Sequence, residues 1–192
     1  MNTRNITLSG VLFAVGLILH QIVPAFGGIT FDVQLSMLFI VILINNSLKG
    51  AVAAGVVSGI ITALTTKFPG GQIPNVLDKV ITAIIIYGVI VILTKTFNAI
   101  KESTESKSGK IYNFINNSAN IYVLMGITAT IGTLISGTIF LFSALYIVGL
   151  PSGMSVGIGY LTVVIPATIG NAIATPLLYK LVKRVSRNYV LA

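Results

Sequence analysis

"VQLSMLFIVILINNSLKGAVAAGVVSGIITALTT", residues 33–66, is apolar for most of its length but breaks its own pattern at "NNSLKG", residues 45–50. As one α-helix the stretch would run for about 51 Å at ~1.5 Å per residue, far beyond the ~30 Å hydrocarbon core of a bilayer. Two asparagines, a serine and a glycine within six positions are turn chemistry. The stretch therefore reads as two helices, residues 33–48 and 51–66, each short beside the roughly 20 apolar residues of an ordinary membrane span. That turn decides how often the chain crosses a membrane, and so which loops share a face.

Working outward, residues 6–23 form an apolar run stopped by Pro24 and the pair Gly27-Gly28. Residues 74–93, 120–148 and 154–182 are three more, the last two separated by "GLPSG" at 149–153. The expectation is an all-α membrane protein of six transmembrane helices. Composition agrees: 55% of the 192 residues are hydrophobic and 8% charged, against about 25% charged in soluble domains, and mean hydropathy is +0.97. The first run lacks a small-residue cleavage site and is followed by further spans, so it reads as a retained helix. The polar stretch "KTFNAIKESTESKSGKIYNFINNSAN", 95–120, reads as a solvated loop over about 95–118, with room for a short amphipathic helix on the membrane surface but too small to build a core of its own. One integral membrane domain over 1–192 is expected.

Six spans place Arg4, Lys49, Lys95, Lys101, Lys107, Lys110, Lys180, Lys183, Arg184 and Arg187 on one side and Lys67 and Lys79 on the other. Positive residues mark the cytoplasmic side. Both termini are thus expected inside, with the 24–32, 67–75 and 149–153 loops outside. The net charge of +8 is explained by this asymmetry and gives no reason to expect a nucleic-acid partner. The chain has no cysteine and one histidine, His20, which excludes a disulfide framework, a thiolate metal site and a His-based metal cluster. No nucleophile–base pair can be assembled, no P-loop occurs, and neither enzymatic activity nor a cofactor is expected. Asp32 and Asp78 both fall near span ends, leaving no mid-membrane carboxylate for an ion relay.

A second polar interruption of the apolar sequence, rich in helix breakers, is "TTKFPGGQIPNVLDK", residues 65–79. Gly70-Gly71 frees the backbone for a turn, and Pro74 suits the first turn of the following helix. Asp78 near that helix N-terminus could simply complement its dipole, with Lys79 snorkelling to the interface. Against that stands the convergence of a carboxylate, an ammonium, two amides (Gln72 and Asn75) and a helix N-terminus at one membrane face. Ionisable residues in spans are costly and usually functional. This set matches a zwitterionic or polar small molecule, with Phe68 as an aromatic wall. His20, Asp32 and Asn171 are further candidates from other spans, Asn171 being either ligand contact or helix glue. Gly10 and Ala14 present a small face on the first span, and Ala51, Gly55 and Gly59 repeat that spacing on the third, where packing within the bundle is the simpler reading. Pro166 and Pro176 are expected to kink or loosen the last helix.

"TALTTKFPGGQIPN" (62–75) resembles the signature of the bacterial tryptophan transport family TrpP, which usually carries Ser where this chain has Thr62. The stretches "LHQIVPAFGGITFDVQLSMLF" (19–39), "GTLISGTIFLFSALYIVGLP" (132–151) and "VIPATIGNAI" (164–173) extend the resemblance over most of the chain. That family in turn resembles the substrate-binding S components of energy-coupling-factor (ECF) importers. The resemblance implies a bacterial multi-pass membrane protein with a ligand site closed by the first, third and fifth loops. It also implies partners: a transmembrane coupling protein and two ATPase subunits, with Gly10-xxx-Ala14 as the nearest match to a docking motif. The implied ligand is L-tryptophan. Its contacts would be Phe68, Gly70, Gly71, Gln72, Asn75, Asp78 and Lys79, with His20, Asp32 and Asn171 as second choices. Lys79 or the helix N-terminus would take the ligand carboxylate, Asp78 or Asp32 its ammonium, and Phe68 and Tyr146 the indole. A stand-alone secondary transporter, a different aromatic amino acid or vitamin, and a scaffold or sensor are the alternatives. The chain itself contains no tryptophan.

Overall fold

The computed structural model describes residues 3–22, 25–26, 29–30, 32–105 and 119–185. Six helical runs account for nearly all of them: α1 (Thr3–Ile22), α2 (Val33–Asn45), α3 (Leu48–Thr65), α4 (Gln72–Glu105), α5 (Ala119–Ile147) and α6 (Val156–Val185). Among the described residues the only strand pairing is two residues a side, Ala25–Phe26 against Ile29–Thr30. Pro24, Gly27, Gly28, Lys107, Lys110 and Arg187, and the expected loop from residue 106 onward, lie outside the described residues.

The turn at "NNSLKG" forms as its chemistry demands. Asn46 takes the left-handed conformation (φ 39°) that closes α2, and Ser47 caps α3 through its side chain to the Gly50 amide. Five helices are long and apolar enough to cross a membrane. The exception is α2, whose 13 residues span only about 20 Å. Its shortness has a physical reason: every residue from Gln34 to Ile42 is buried, and α2 packs against all five other helices. A helix apolar on every side belongs in the middle of a bundle. Because its neighbours enclose it, α2 never has to match the bilayer thickness itself.

The outer helices show the complementary pattern. Along α6, Ile165, Ile169, Ile173, Leu177 and Leu181 form an exposed apolar stripe at four-residue spacing, the surface a lipid-facing helix presents. This is an all-α, multi-pass membrane bundle of about six helices.

One expectation needs correction and another holds at one of its two prolines. The polar stretch after residue 95 does not leave the helix at once, because α4 continues to Glu105. Its Lys and Glu residues suit a solvated loop but are also good helix formers, and an established helix propagates at little cost. The last helix loosens in one place before Pro166: Tyr160–Val164 is π-helical, with the Ile165 amide reaching the Tyr160 carbonyl. Proline donates no amide and crowds the carbonyl four residues back, and the wider π turn accommodates it. Pro176 instead sits inside α-helix.

Candidate binding site

The pocket is built where one end of the bundle gathers the short loops. The segment after α3 folds tightly: the Gly71 amide donates to the Phe68 carbonyl at 3.0 Å, and the Asn75 amide and side chain both donate to the Gly71 carbonyl at 3.0 and 2.7 Å. Gly70 has φ +73°, and a Cβ there would collide with Val148 at the end of α5, so the third and fifth loops are in contact. This turn carries Phe68 inward, 3% exposed, edge-on to Phe140 of α5 with ring centroids 5.5 Å apart.

The position of α4 is fixed by α3. A Cβ on Gly55 would lie 2.8 Å from Ala83 Cβ and 2.9 Å from the Lys79 carbonyl oxygen, and one on Gly59 would lie 3.1 Å from Val76 Cα. Small residues at four-residue spacing let the two backbones meet. That close crossing sets the rotation of α4 and turns Asp78 and Lys79 into the bundle.

Both are buried, at 1% and 2% exposure. Asp78 lies six residues inside α4, about 9 Å along the axis. Lys79 does not snorkel outward as the simpler sequence reading allowed; its ammonium is enclosed by Asp78, by Asp32 at 2.6 Å and by Ser136 at 3.4 Å. Asp78 is completed by Ser136 at 2.9 Å and Thr82 at 3.0 Å. Asp32 caps α2 through the Leu35 amide at 3.2 Å. Burial by itself pushes the Asp32 carboxyl up, but the Lys79 ammonium, His20 and the Leu35 amide together hold it below the usual carboxylate value. His20 of α1 stands 3.6 Å from the same carboxylate, with Nδ1 lacking a hydrogen-bond partner.

A cavity opens beside this cluster. All six helices reach it. Its lining is mixed: His20, Asp32, Asn75, Asp78, Lys79 and Ser136 are charged or polar, and Phe68, Phe140, Leu141, Val163 and Val164 are apolar. The two valines belong to the π-helical turn of α6, a feature frequent at functional sites.

The sequence candidates thus separate. Phe68, Asn75, Asp78, Lys79, His20 and Asp32 line the cavity, while Gly70, Gly71 and Gln72 shape the turn outside it. Asn171 is fully buried and binds Ser36, Thr133 and the Asp32 carbonyl, so it joins helices. Tyr146 is 80% exposed and stacks on Phe142 away from the cavity; the second aromatic wall is Phe140. Gly10 and Ala14 are exposed on α1. Among the described residues, no group of three or more His, Cys, Asp or Glu side chains could hold a metal ion.

Residues 2–187 match the family described as Tryptophan transporter TrpP. The chain belongs to this family. It is 41% identical to a protein of Clostridium perfringens named "Probable tryptophan transport protein", over 95% of this chain and 93% of that one. A protein of the same name from Bacillus subtilis is 34% identical over 97% and 95% of the two chains. No solved structure matches. TrpP proteins are transport proteins and not enzymes, and the apolar helices make this member a multi-pass protein of the bacterial membrane.

Proposed function

We propose that this TrpP protein takes up tryptophan by binding it in the cavity between the loops, as the substrate-binding component of an ATP-driven importer. The observation that carries the reading is the mixed lining of that cavity. An aromatic amino acid is apolar at one end and zwitterionic at the other, and the Phe68–Phe140 pair and the Asp32–Lys79–Asp78 cluster line the same cavity. Aromatic rings pack edge-on or offset against such walls. The names of the relatives support tryptophan as the ligand.

The importer assignment rests on different ground. The chain contains no nucleotide-binding motif, so energy for uptake comes from elsewhere. The exposed Gly10 and Ala14 on α1 fit docking of a coupling protein that carries two ATPase subunits. A second reading, uptake driven by an ion gradient, is favoured by Asp78, a carboxylate buried inside a span.

The test of binding is direct. Because the protein has no tryptophan, the fluorescence of added L-tryptophan reports on the ligand alone. Purified protein should show a saturable spectral shift that riboflavin does not compete away. A folded sample that leaves the ligand spectrum unchanged would refute tryptophan binding.

A further inference from the structure

We propose that the pocket selects its ligand through the ligand's ammonium group, held by Asp32 and His20, and that the ligand carboxylate contributes little to recognition. The inference rests on the tryptophan reading above and sharpens it.

The argument is a count of donors and acceptors. An ammonium has three N–H donors and no acceptor. Those of Lys79 are matched by Asp32, Asp78 and Ser136, so this lysine has none left for an incoming carboxylate. Asp78 is equally committed: one oxygen accepts from Thr82, the other from Ser136 and Lys79, and the residue is 1% exposed. Asp32 differs. Oδ1 accepts one hydrogen bond, from the Leu35 amide, with His20 Nδ1 beyond hydrogen-bond reach at 3.6 Å; Oδ2 holds Lys79, and the side chain is 19% exposed, the most open of the three. The free acceptor capacity of the cluster is therefore concentrated on Asp32.

Charge points the same way. Two carboxylates set against one lysine ammonium leave the cluster short of cations in a mostly buried setting, where an unmatched charge is costly. A ligand cation restores neutrality; a ligand carboxylate placed here adds to the imbalance. Among the described lining residues the other lysine is Lys67, exposed in the loop after α3, and α5 and α6 contribute no charged side chain.

His20 supplies a second, independent sign. The residue is 6% exposed and lines the cavity, yet its Nδ1 has no hydrogen-bond partner and stops 3.6 Å from Asp32 Oδ1. A buried polar atom without a partner calls for an explanation. A primary ammonium between Nδ1 and Asp32 would donate to both and satisfy each.

The experiment compares three indole ligands on the purified full chain by their own fluorescence: L-tryptophan, tryptamine (ammonium only) and indole-3-propionate (carboxylate only). Tryptamine should bind within about tenfold of L-tryptophan, and indole-3-propionate about 100-fold more weakly, as expected for loss of a charge-assisted hydrogen bond and its ion pair. Asp32→Asn keeps a capping side chain for α2 and should weaken both ammonium ligands by about 10- to 100-fold. His20→Leu should weaken them by about tenfold. L-tryptophan and indole-3-propionate binding while tryptamine does not would overturn the inference and leave the tryptophan reading intact. Failure of all three on folded protein would remove both. The wild-type comparison decides the matter even where a variant fails to fold.

Discussion

Lys79 is the residue on which the pocket's electrostatics turn. Removing one partner of a buried ion pair costs about 3–5 kcal/mol, because the other charge stays behind in the low-dielectric interior. Lys79→Met should therefore lower the melting temperature of the detergent-solubilised protein sharply, since it leaves Asp78 buried beside Asp32. Adding Asp78→Asn removes the stranded charge while Thr82 and Ser136 keep hydrogen-bond partners, so the double variant should melt well above the single one. Equal melting of the two would mean that the ion pair does not control stability. At this scale the sequence was informative wherever polarity was out of place. Phe68, Asn75, Asp78 and Lys79 stood out in "TTKFPGGQIPNVLDK", and His20 and Asp32 stood out as rare residues beside apolar runs. Phe140 and Ser136 carried no such mark. They are ordinary residues of an apolar span, and whether they face the pocket or a neighbouring helix depends on the rotation of α5, which a hydrophobic stretch does not encode. Tyr146 misled for the same reason.

Between elements, the α3–α4 contact connects packing to the site. Gly55 meets the backbone of α4 at the Lys79 carbonyl, which is not a flexible group that can swing aside. Gly55→Leu forces the helices apart, and overpacking of this kind costs about 1–3 kcal/mol. It should also weaken tryptophan binding, because the displaced helix carries Asp78 and Lys79. Gly88, also on α4, has nothing within 4 Å of a Cβ; Gly88→Ala should leave both melting and binding unchanged. Equal effects of the two substitutions would show that the close crossing is not what places the charges. The small-residue spacing that announces this contact was readable in the sequence, as was the "NNSLKG" turn. The central place of α2 was only half readable. Its shortness was visible, but burial on all sides depends on five other helices closing around it. The continuation of α4 past residue 95 was missed because polar composition describes the solvent around a segment and leaves its backbone conformation open.

For the molecule as a whole, the question is what moves a bound ligand across the membrane. The cavity sits at one end of the bundle, and the chain holds no nucleotide-binding motif. Energy must enter through a partner or through an ion, and the two routes use different surfaces. An ATPase-driven route needs a docking face. Gly10 is exposed with nothing among the described residues within 4 Å of a Cβ, so its small size leaves this face of α1 open to close approach by another helix. An ion-driven route would instead act through the buried carboxylates, which are already neutralised in part by Lys79. The docking reading predicts a separation of functions. Gly10→Phe should leave tryptophan binding by the purified protein within about twofold of wild type, since no neighbour is displaced, while cellular uptake falls to background. Wild-type uptake should likewise stop when the ATPase subunits are deleted and continue when a protonophore collapses the ion gradient for as long as ATP lasts. If uptake instead survives both Gly10→Phe and loss of the ATPases but stops with the gradient, the importer assignment fails. The buried Asp78 would then become the first residue to test as the ion-coupling group.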